Sequence, residues 1–192
     1  MYSQYGPNMA TTGRQQGFNL IELMVVLVLT GIVMSVGIPQ FNSTIARGNI
    51  SAESNRLTAS INFARSQAVN KQQTVTLARK STTANDWTEG WTIYSDAGGE
   101  GNQTMNVGDG DVLLKDISTD TAGLSIRANA EGDQWISFDP SGRLAEDDAV
   151  AVAVCNDDLT DGLEGSRLEI NIVGRTKRLT IAAADKADQC LP

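Results

Sequence analysis

Apolar residues are most concentrated near the N-terminus of the chain. Residues 18–38 read FNLIELMVVLVLTGIVMSVGI, and residues 23–38 carry no charge. A helix of about 20 residues spans roughly 30 Å, which is the thickness of the hydrocarbon core of a bilayer. We therefore predict a membrane-spanning helix over residues 18–39, with a bend at Pro39, where an internal hydrogen bond is lost.

After Pro39 the apolar residues keep a helical spacing. They recur at intervals of 7, 4, 3 and 4, at Ile50, Leu57, Ile61, Ala64 and Ala68. These intervals place them on one face of a helix, and most of the charged residues fall outside that face. The pattern predicts one helix from Phe18 to Asn70, whose amphipathic second half, residues 40–72, rests on a sheet.

From Gln73 onward the apolar residues alternate with polar ones, as they do in strands. Segments with this pattern are residues 74–80, 90–96, 112–118, 123–128, 134–139, 150–156, 167–173 and 178–183. Short strands that follow one long helix predict two small sheets, one of which packs on the helix. Residues 73–192 are therefore expected to form a β-rich globular head, with the tip of its last hairpin at residues 173–176.

The overall composition limits the function classes. A length of 192 residues suits one domain plus an anchor. The net charge of −8, from 15 basic and 23 acidic residues, argues against a surface that binds nucleic acid everywhere. Any such site would have to be a local basic patch.

The two cysteines, Cys155 and Cys190, both lie beyond the apolar stretch. Arg14 precedes that stretch, so the positive-inside rule places the short N-terminal segment in the cytoplasm and the head outside it. Disulfides persist outside the cytoplasm. We therefore expect Cys155 to bond Cys190, with two free thiols as the alternative.

No residue pattern points to catalysis. Histidine, the commonest general base and metal ligand, is absent from the chain. The carboxylates lie in Gly-rich loops or on alternating strands, without an apolar setting that would raise the pKa of one of them for acid catalysis. We expect no enzymatic activity, no cofactor and no metal.

The segment 95–111, SDAGGEGNQTMNVGDGD, is the most loop-like part of the chain. Its acidic side chains are Asp96, Glu100, Asp109 and Asp111. Calcium prefers such oxygen ligands, but their spacing does not match an EF-hand loop. A solvated, mobile loop is the favoured interpretation here and for the acidic segment 156–162.

A single carboxylate, Glu22, lies near the start of the apolar stretch. A carboxylate costs about 2.5–3.5 kcal/mol at the centre of a bilayer and less near the interface, so a partner must compensate for it. No small-x-small cleavage pattern closes the apolar stretch, which argues against a secretory signal peptide. An ordinary single-pass anchor with a stray glutamate is the alternative.

The segment GFNLIEL, which begins at Gly17, resembles the class III signal motif of type IV pilins and type II secretion pseudopilins. In that motif G is followed by F-T-L-I-E, and Asn19 stands here where Thr is usual. The resemblance implies that a prepilin peptidase cuts between Gly17 and Phe18, that residues 1–17 are a leader, and that the new N-terminus is methylated. It also implies that the freed amine pairs with Glu22 of a neighbouring subunit in a filament.

The helix and the strand-rich head together resemble the GspH/FimT branch of that family, which contains minor pilins and pseudopilins. The resemblance implies an α+β pilin fold, in which one long N-terminal helix, transmembrane in its first half, packs on a C-terminal antiparallel domain of two small sheets. It implies a subunit anchored in the bacterial inner membrane, with its head in the periplasm, that assembles into, primes or tips a type IV pilus. The alternatives are a type II secretion pseudopilin and a DNA-binding minor pilin for natural transformation. The implied partners are other pilins, prepilin peptidase and inner-membrane lipid.

A basic segment, GRTKR, begins at Gly174, with Arg167 nearby in the sequence. Alternation along a strand would set Arg175 and Lys177 on one face, where phosphates fit, and Arg178 follows. The segment resembles the C-terminal G-R-x-R element with which FimT-type minor pilins take up DNA, although lysine stands at its fourth position. A solvated hairpin, or salt bridges to nearby carboxylates, is the alternative.

Three tryptophans, Trp87, Trp91 and Trp135, offer rings on which nucleic-acid bases stack. Tryptophans in strand-rich segments more often pack in the core or on a sheet. Core packing is therefore the favoured interpretation.

Overall fold

The protein is described from a computed structural model. It describes residues 17–99, 101, 104–119, 123–129, 133–146, 148–157, 162, 164–185 and 189–190, without the side chains of residues 36–40. The predicted leader therefore lies outside the described residues, apart from Gly17. The chain divides into two compact units, Met1–Phe41 and Asn42–Pro192.

The first unit contains the beginning of helix α1, which spans Leu20–Lys71. The helix begins at Leu20 rather than at Phe18 because Asn19 acts as its cap. The Asn19 carbonyl accepts a hydrogen bond from the Leu23 N–H at 3.2 Å, and its side-chain oxygen accepts one from the Ile21 N–H at 3.4 Å. The described large apolar side chains of this unit are all exposed.

Within the part of the chain that the structure describes, no helix combines the length and mean hydropathy of a membrane span. The transmembrane segment over residues 18–39 stays a prediction.

The second unit contains the rest of α1, which follows the predicted pattern closely. The helical stripe is buried at every position, at Ile50, Leu57, Ile61, Ala64 and Ala68. The helix ends at Lys71, because Gln72 adopts a left-handed conformation with φ of 54°. The Gln73 N–H then bonds the Ala68 carbonyl at 3.3 Å, which satisfies one of the last helical carbonyls.

Two antiparallel sheets of four strands each make up the described part of the head. The strands are β1 Thr74–Arg79, β2 Gly90–Asp96, β3 Val112–Ser118, β4 Leu124–Ala128, β5 Trp135–Phe138, β6 Val150–Asn156, β7 Gly165–Ile170 and β8 Thr176–Ile181. The first sheet has the order β3-β2-β1-β5, and the second has the order β4-β6-β7-β8. The α+β architecture with one long helix and two small sheets is thus confirmed.

One hydrophobic core joins the helical stripe to the inner faces of both sheets. Trp87 and Trp91 are fully buried in this core, with their ring centroids 6.5 Å apart. Trp135 is partly exposed at the start of β5. Two of the three tryptophans therefore pack as core residues and cannot present a ring to a base.

The last hairpin differs from the prediction. Strand β7 ends at Ile170 and β8 begins at Thr176, so the tip is the segment 171–175 rather than 173–176. The apolar run from Ile170 to Val173 looks like a strand in sequence, but Asn171 ends it by bonding the backbone. Its side-chain oxygen accepts the Arg175 N–H at 2.8 Å, and its carbonyl accepts the Gly174 N–H at 2.7 Å.

The acidic segment 95–111 is held more firmly than a solvated loop would be, so that expectation is wrong for its first and last carboxylates. Asp96 is buried and accepts two backbone N–H groups of its own loop, each at 2.7 Å. Asp111 is also buried and accepts the Asn106 N–H at 2.8 Å. These two carboxylates bind the loop backbone, and no group of potential metal ligands occurs among the described residues.

Candidate functional site

The N-terminal residues singled out by the sequence lie together at the start of α1. Phe18 is 81% exposed, and Glu22 is exposed in the first helical turn. Space around Gly17 is open, since an added Cβ would meet nothing within 4 Å. A carboxylate in the first turn of a helix is favoured by the helix dipole, so Glu22 suits its position even before a partner is present.

Cys155 and Cys190 form a disulfide across a sequence separation of 35 residues, with their Cα atoms 6.0 Å apart. The bond is buried with Ala153 and Ile181 on the face of the second sheet that points away from the core. This face is called the outer face below. In the chain-entropy model, closing a loop of this size stabilises the head by about 3–4 kcal/mol.

The structure separates the basic residues of the GRTKR segment into two groups. Arg175 and Lys177 are exposed and line a groove of about 520 Å³ on the outer face. Arg178 lies on the opposite face, because adjacent strand residues point to opposite sides. Its guanidinium donates to the Asn55 Oδ1 of α1 and to the Ser166 Oγ, each at 2.9 Å.

Gly174 has a structural explanation in the hairpin tip. Its φ of 75° lies in the left-handed region, and a Cβ there would come within 2.3 Å of the Gly142 carbonyl oxygen. Arg65 of α1 reaches the same place, donating to the Gly142 carbonyl at 2.7 Å and to the Val173 carbonyl at 3.2 Å. Glycine at this position lets the tip fit against the helix and so fixes where Arg175 is presented.

Arg127 is a basic residue of this region that the sequence did not suggest. It stands opposite Ala153 in the register between β4 and β6, and Ala153 stands opposite Arg167 between β6 and β7. The three side chains therefore share the outer face. Period-two alternation of the strands predicts each residue's face, but only the strand order brings Arg127 and Arg167 to the two sides of β6.

The carboxylates of the head have pKa values set by their surroundings. Burial alone would raise the pKa of Asp86, but hydrogen bonds from Thr88 and the nearby Arg127 lower it below its usual value. Burial raises the pKa of Glu146 above its usual value, despite hydrogen bonds from backbone groups and from Trp135. Glu146 is one acid in a partly apolar setting, which the sequence did not indicate.

Residues 12–38 match the prokaryotic N-terminal methylation motif. A long helix that begins with this motif, followed by a head of two antiparallel sheets, defines a pilin-like structural subunit. The chain belongs to the GspH family, because the family described as Type II transport protein GspH matches residues 53–181, which are more than half of the chain.

Individual relatives resemble either the N-terminus or the fold. The type IV major fimbrial protein FimA of Dichelobacter nodosus is 49% identical over 37 residues, which are 19% of this chain and 24% of that protein. The chain thus matches about a quarter of the length of these curated relatives.

Two solved structures align with about two thirds of this chain. The type IV minor pilin FimU of Pseudomonas aeruginosa superimposes with a TM-score of 0.54 at 23% identity, covering 68% of this chain and 88% of that one. The minor pseudopilin EpsH from the Type 2 Secretion System of Vibrio cholerae gives a TM-score of 0.45 at 12% identity, covering 70% and 95%.

Proposed function

We propose that the protein is a minor pilin that assembles into, primes or tips a type IV pilus. The observation that carries this proposal is the exposed apolar first part of α1 with one carboxylate, Glu22, a short distance after Gly17. Exposed apolar surface of this extent needs a cover. The GspH family, the methylation motif and the FimU-like fold support a cover made of other pilin helices.

The proposed sequence of events follows from the chemistry of the N-terminus. The apolar helix first anchors the chain in the inner membrane, with the head in the periplasm. Prepilin peptidase then cuts between Gly17 and Phe18, which frees an α-amino cation. In the filament this cation pairs with Glu22 of a neighbouring subunit, where each charge compensates the cost of removing the other from water. Family and fold are those of structural subunits, and the proposal needs no catalytic step by this protein itself.

Replacing Glu22 with Ala tests the proposal. Membrane insertion should be unchanged, whereas the amount of the protein in sheared filaments should fall by at least about tenfold, because the amine would be left buried without its partner. Thr30→Ala is a matched control in the same part of α1, since the Thr30 hydroxyl bonds only the Val26 carbonyl of its own helix in the described contacts. Normal incorporation of the Glu22→Ala protein would overturn the ion-pair mechanism.

A second candidate is a pseudopilin of a type II secretion system, which the description of the matching family favours. The same N-terminal chemistry would serve a short periplasmic filament equally well. Deleting the gene separates the two: loss of pili supports the first proposal, and loss of secretion with pili intact supports the second.

A third candidate is uptake of DNA, which the common groove of Arg175 and Lys177 favours. Binding by so few cations would be weak and sensitive to salt. Gel retardation of DNA by the full chain in non-ionic detergent tests it, compared with Arg175→Ala plus Lys177→Ala. No retardation at low salt, or equal retardation by the double variant, removes this candidate.

A further inference from the structure

The outer face of the second sheet contains a recess that the basic hairpin only borders. Two adjoining cavities, of about 160 and 520 Å³, share Asn129, Ala151 and Arg167 in their linings. Ala151 and Ala153 lie two residues apart on β6, so both point to this face. We call the recess over these two alanines, between Arg127 and Arg167, the alanine trough.

The trough has the width of a single extended chain. Strands β4 and β7 flank β6 on its two sides, and neighbouring strands lie about 4.8 Å apart, so the two side walls are roughly 10 Å apart. Ala151 forms the open part of the floor, because Ala153 is buried against the disulfide, and the arginine side chains stand beside it. The Cys155–Cys190 disulfide, packed on Ala153, stands at one end of this floor.

The charges of the trough favour an acidic ligand. Arg127 and Arg167 stand opposite Ala153 on the two strands that neighbour β6. Lys177 of β8 stands opposite Glu169 of β7, which in turn stands opposite Ala151. The cations are only partly neutralised within the protein. Arg127 faces Asp86 at 3.6 Å, and Arg167 faces Glu169 at 3.2 Å.

Arg175 adds a fourth cation beside the wider cavity, so among the described residues that line the two cavities positive charges exceed negative ones, in a chain whose net charge is −8. Such a local excess attracts an anionic partner and discriminates against a cationic one.

The lining chemistry distinguishes a peptide from a nucleic acid. Proteins that bind single-stranded nucleic acid stack its bases on aromatic rings. Among the described residues that line the two cavities there is no aromatic side chain, and Trp87 and Trp91 are buried in the core. The amide side chains of Asn129 and Asn171 bond the protein's own backbone at the edge of the cavities, and Gln189 adds an amide to the smaller cavity.

We propose that the alanine trough is a docking site for an extended, acidic segment of a partner protein. The segment lies along β6 over Ala151, with successive carboxylates directed to Arg127 and Arg167 on opposite walls and a further one to Lys177. This interaction lies on the head and does not depend on Glu22 or on filament assembly. Its failure would leave the proposed role of the N-terminus untouched.

Fluorescence anisotropy with the full chain in non-ionic detergent tests the docking site. The probe is a labelled peptide of about nine Asp residues, roughly 30 Å long when extended, in which successive carboxylates point to opposite sides. We expect saturable binding at low salt that weakens as salt is added. A peptide with Asn in place of every Asp should not bind. Equal binding of the two peptides would overturn the proposal.

Variants of the trough sharpen the test. Arg167→Gln with Lys177→Gln should weaken binding of the acidic peptide at least about tenfold, and Ala151→Tyr should do the same by filling the floor. Glu169→Gln should instead strengthen binding about threefold, because it removes the carboxylate that competes with the ligand. A purely structural role of these residues would not produce a gain in affinity. If the Glu169→Gln protein and the Arg167→Gln plus Lys177→Gln protein both bound the acidic peptide with unchanged affinity, the proposal would be overturned.

Two single-substitution controls each remove one positive charge outside the alanine trough. Arg178→Gln acts beside Lys177 but on the opposite face, and Lys115→Gln acts on β3 of the first sheet. Both should bind the acidic peptide as the unchanged protein does, and equal loss in these controls would show a response to net charge alone. A labelled oligothymidylate of the same length is the competing probe. If it bound more tightly than the peptide and lost affinity in the same trough variants, the site would be one for nucleic acid and the peptide proposal would be wrong.

Discussion

In the second half of α1, Leu57 and Ile61 are fully buried, whereas Leu27 in the first half keeps 63% of its surface exposed. The difference comes from patterning rather than from apolar content. In the second half the apolar residues keep to one stripe, so the sheets of the same chain can cover them. In the first half apolar residues occur all round the helix, and a helix of that kind is buried in lipid or among other helices.

The head and the first half of α1 also differ in what stabilises them. The head has its own core, its own disulfide and hydrogen bonds from α1 to the hairpin tip. The first half has only the hydrogen bonds of its helix and the Asn19 cap among its described contacts. Changes to the first half should therefore alter assembly, while changes to the second should alter folding.

The largest expected effect comes from a matched pair of leucines. Leu57→Ala should lower the free energy of unfolding of the head by about 2–5 kcal/mol, because it leaves a cavity in the core. Leu27→Ala should leave the unfolding of the head unchanged, because its side chain is exposed. Denaturant unfolding of the full chain in detergent, followed by the fluorescence of Trp87 and Trp91, measures both. Equal destabilisation by the two substitutions would show that the two halves of α1 contribute equally to the stability of the head.

A smaller effect is expected at the contact between the helix and the hairpin tip. Gly174→Ala combines an unfavourable positive φ with a clash against the Gly142 carbonyl, so it should destabilise the head by about 2–3 kcal/mol. Gly123→Ala is the control, since its φ is also positive, at 83°, but its added Cβ meets nothing within 4 Å. It should cost only about 1 kcal/mol. Equal shifts of the thermal unfolding midpoint in the Gly174→Ala and Gly123→Ala proteins would show that the close contact of Gly174 with Arg65 and Gly142 does not contribute to stability.

The smallest expected effect concerns pH. The pKa of Glu146 is raised in the folded head, so the folded state holds this proton more strongly than the unfolded state does. Stability from this group is present below its unfolded pKa and is lost as pH rises through the folded pKa. Glu146→Gln should therefore raise the unfolding midpoint at neutral pH and leave it unchanged below pH about 4, where the carboxyl is protonated in both states. A larger gain in acid than at neutral pH would contradict this.

Strong periodic patterns predicted most of the fold. The helical spacing of Leu57, Ile61 and Ala64 and the alternation in β2, β3 and β6 gave elements with correct or nearly correct ends. The errors occur where a local hydrogen bond overrides the apolar pattern. Asn171 ends β7 before the exposed Ile172, although the sequence continues to look like a strand.

The candidate sites were predicted less completely, since they depend on which face is covered. Arg178 follows Lys177 directly, so alternation alone puts them on opposite faces, but the position of α1 decides that Arg178 faces Asn55. Arg127 is distant in sequence from the basic hairpin, and only the order of strands in the second sheet brings it near Arg167. Asp96 and Asp111 looked like solvated acids because most of their described hydrogen-bond partners are backbone N–H groups, which leave no trace in the composition.

In the proposed filament, the segment that leads into the apolar first half of α1 begins with a freshly cut amine, which pairs with Glu22 of another subunit. Mass spectrometry of the protein recovered from sheared filaments tests it most directly, by identifying the N-terminal residue. We expect a methylated N-terminus at Phe18. A mature protein that still carried Gly17, or that began at any other residue, would contradict it.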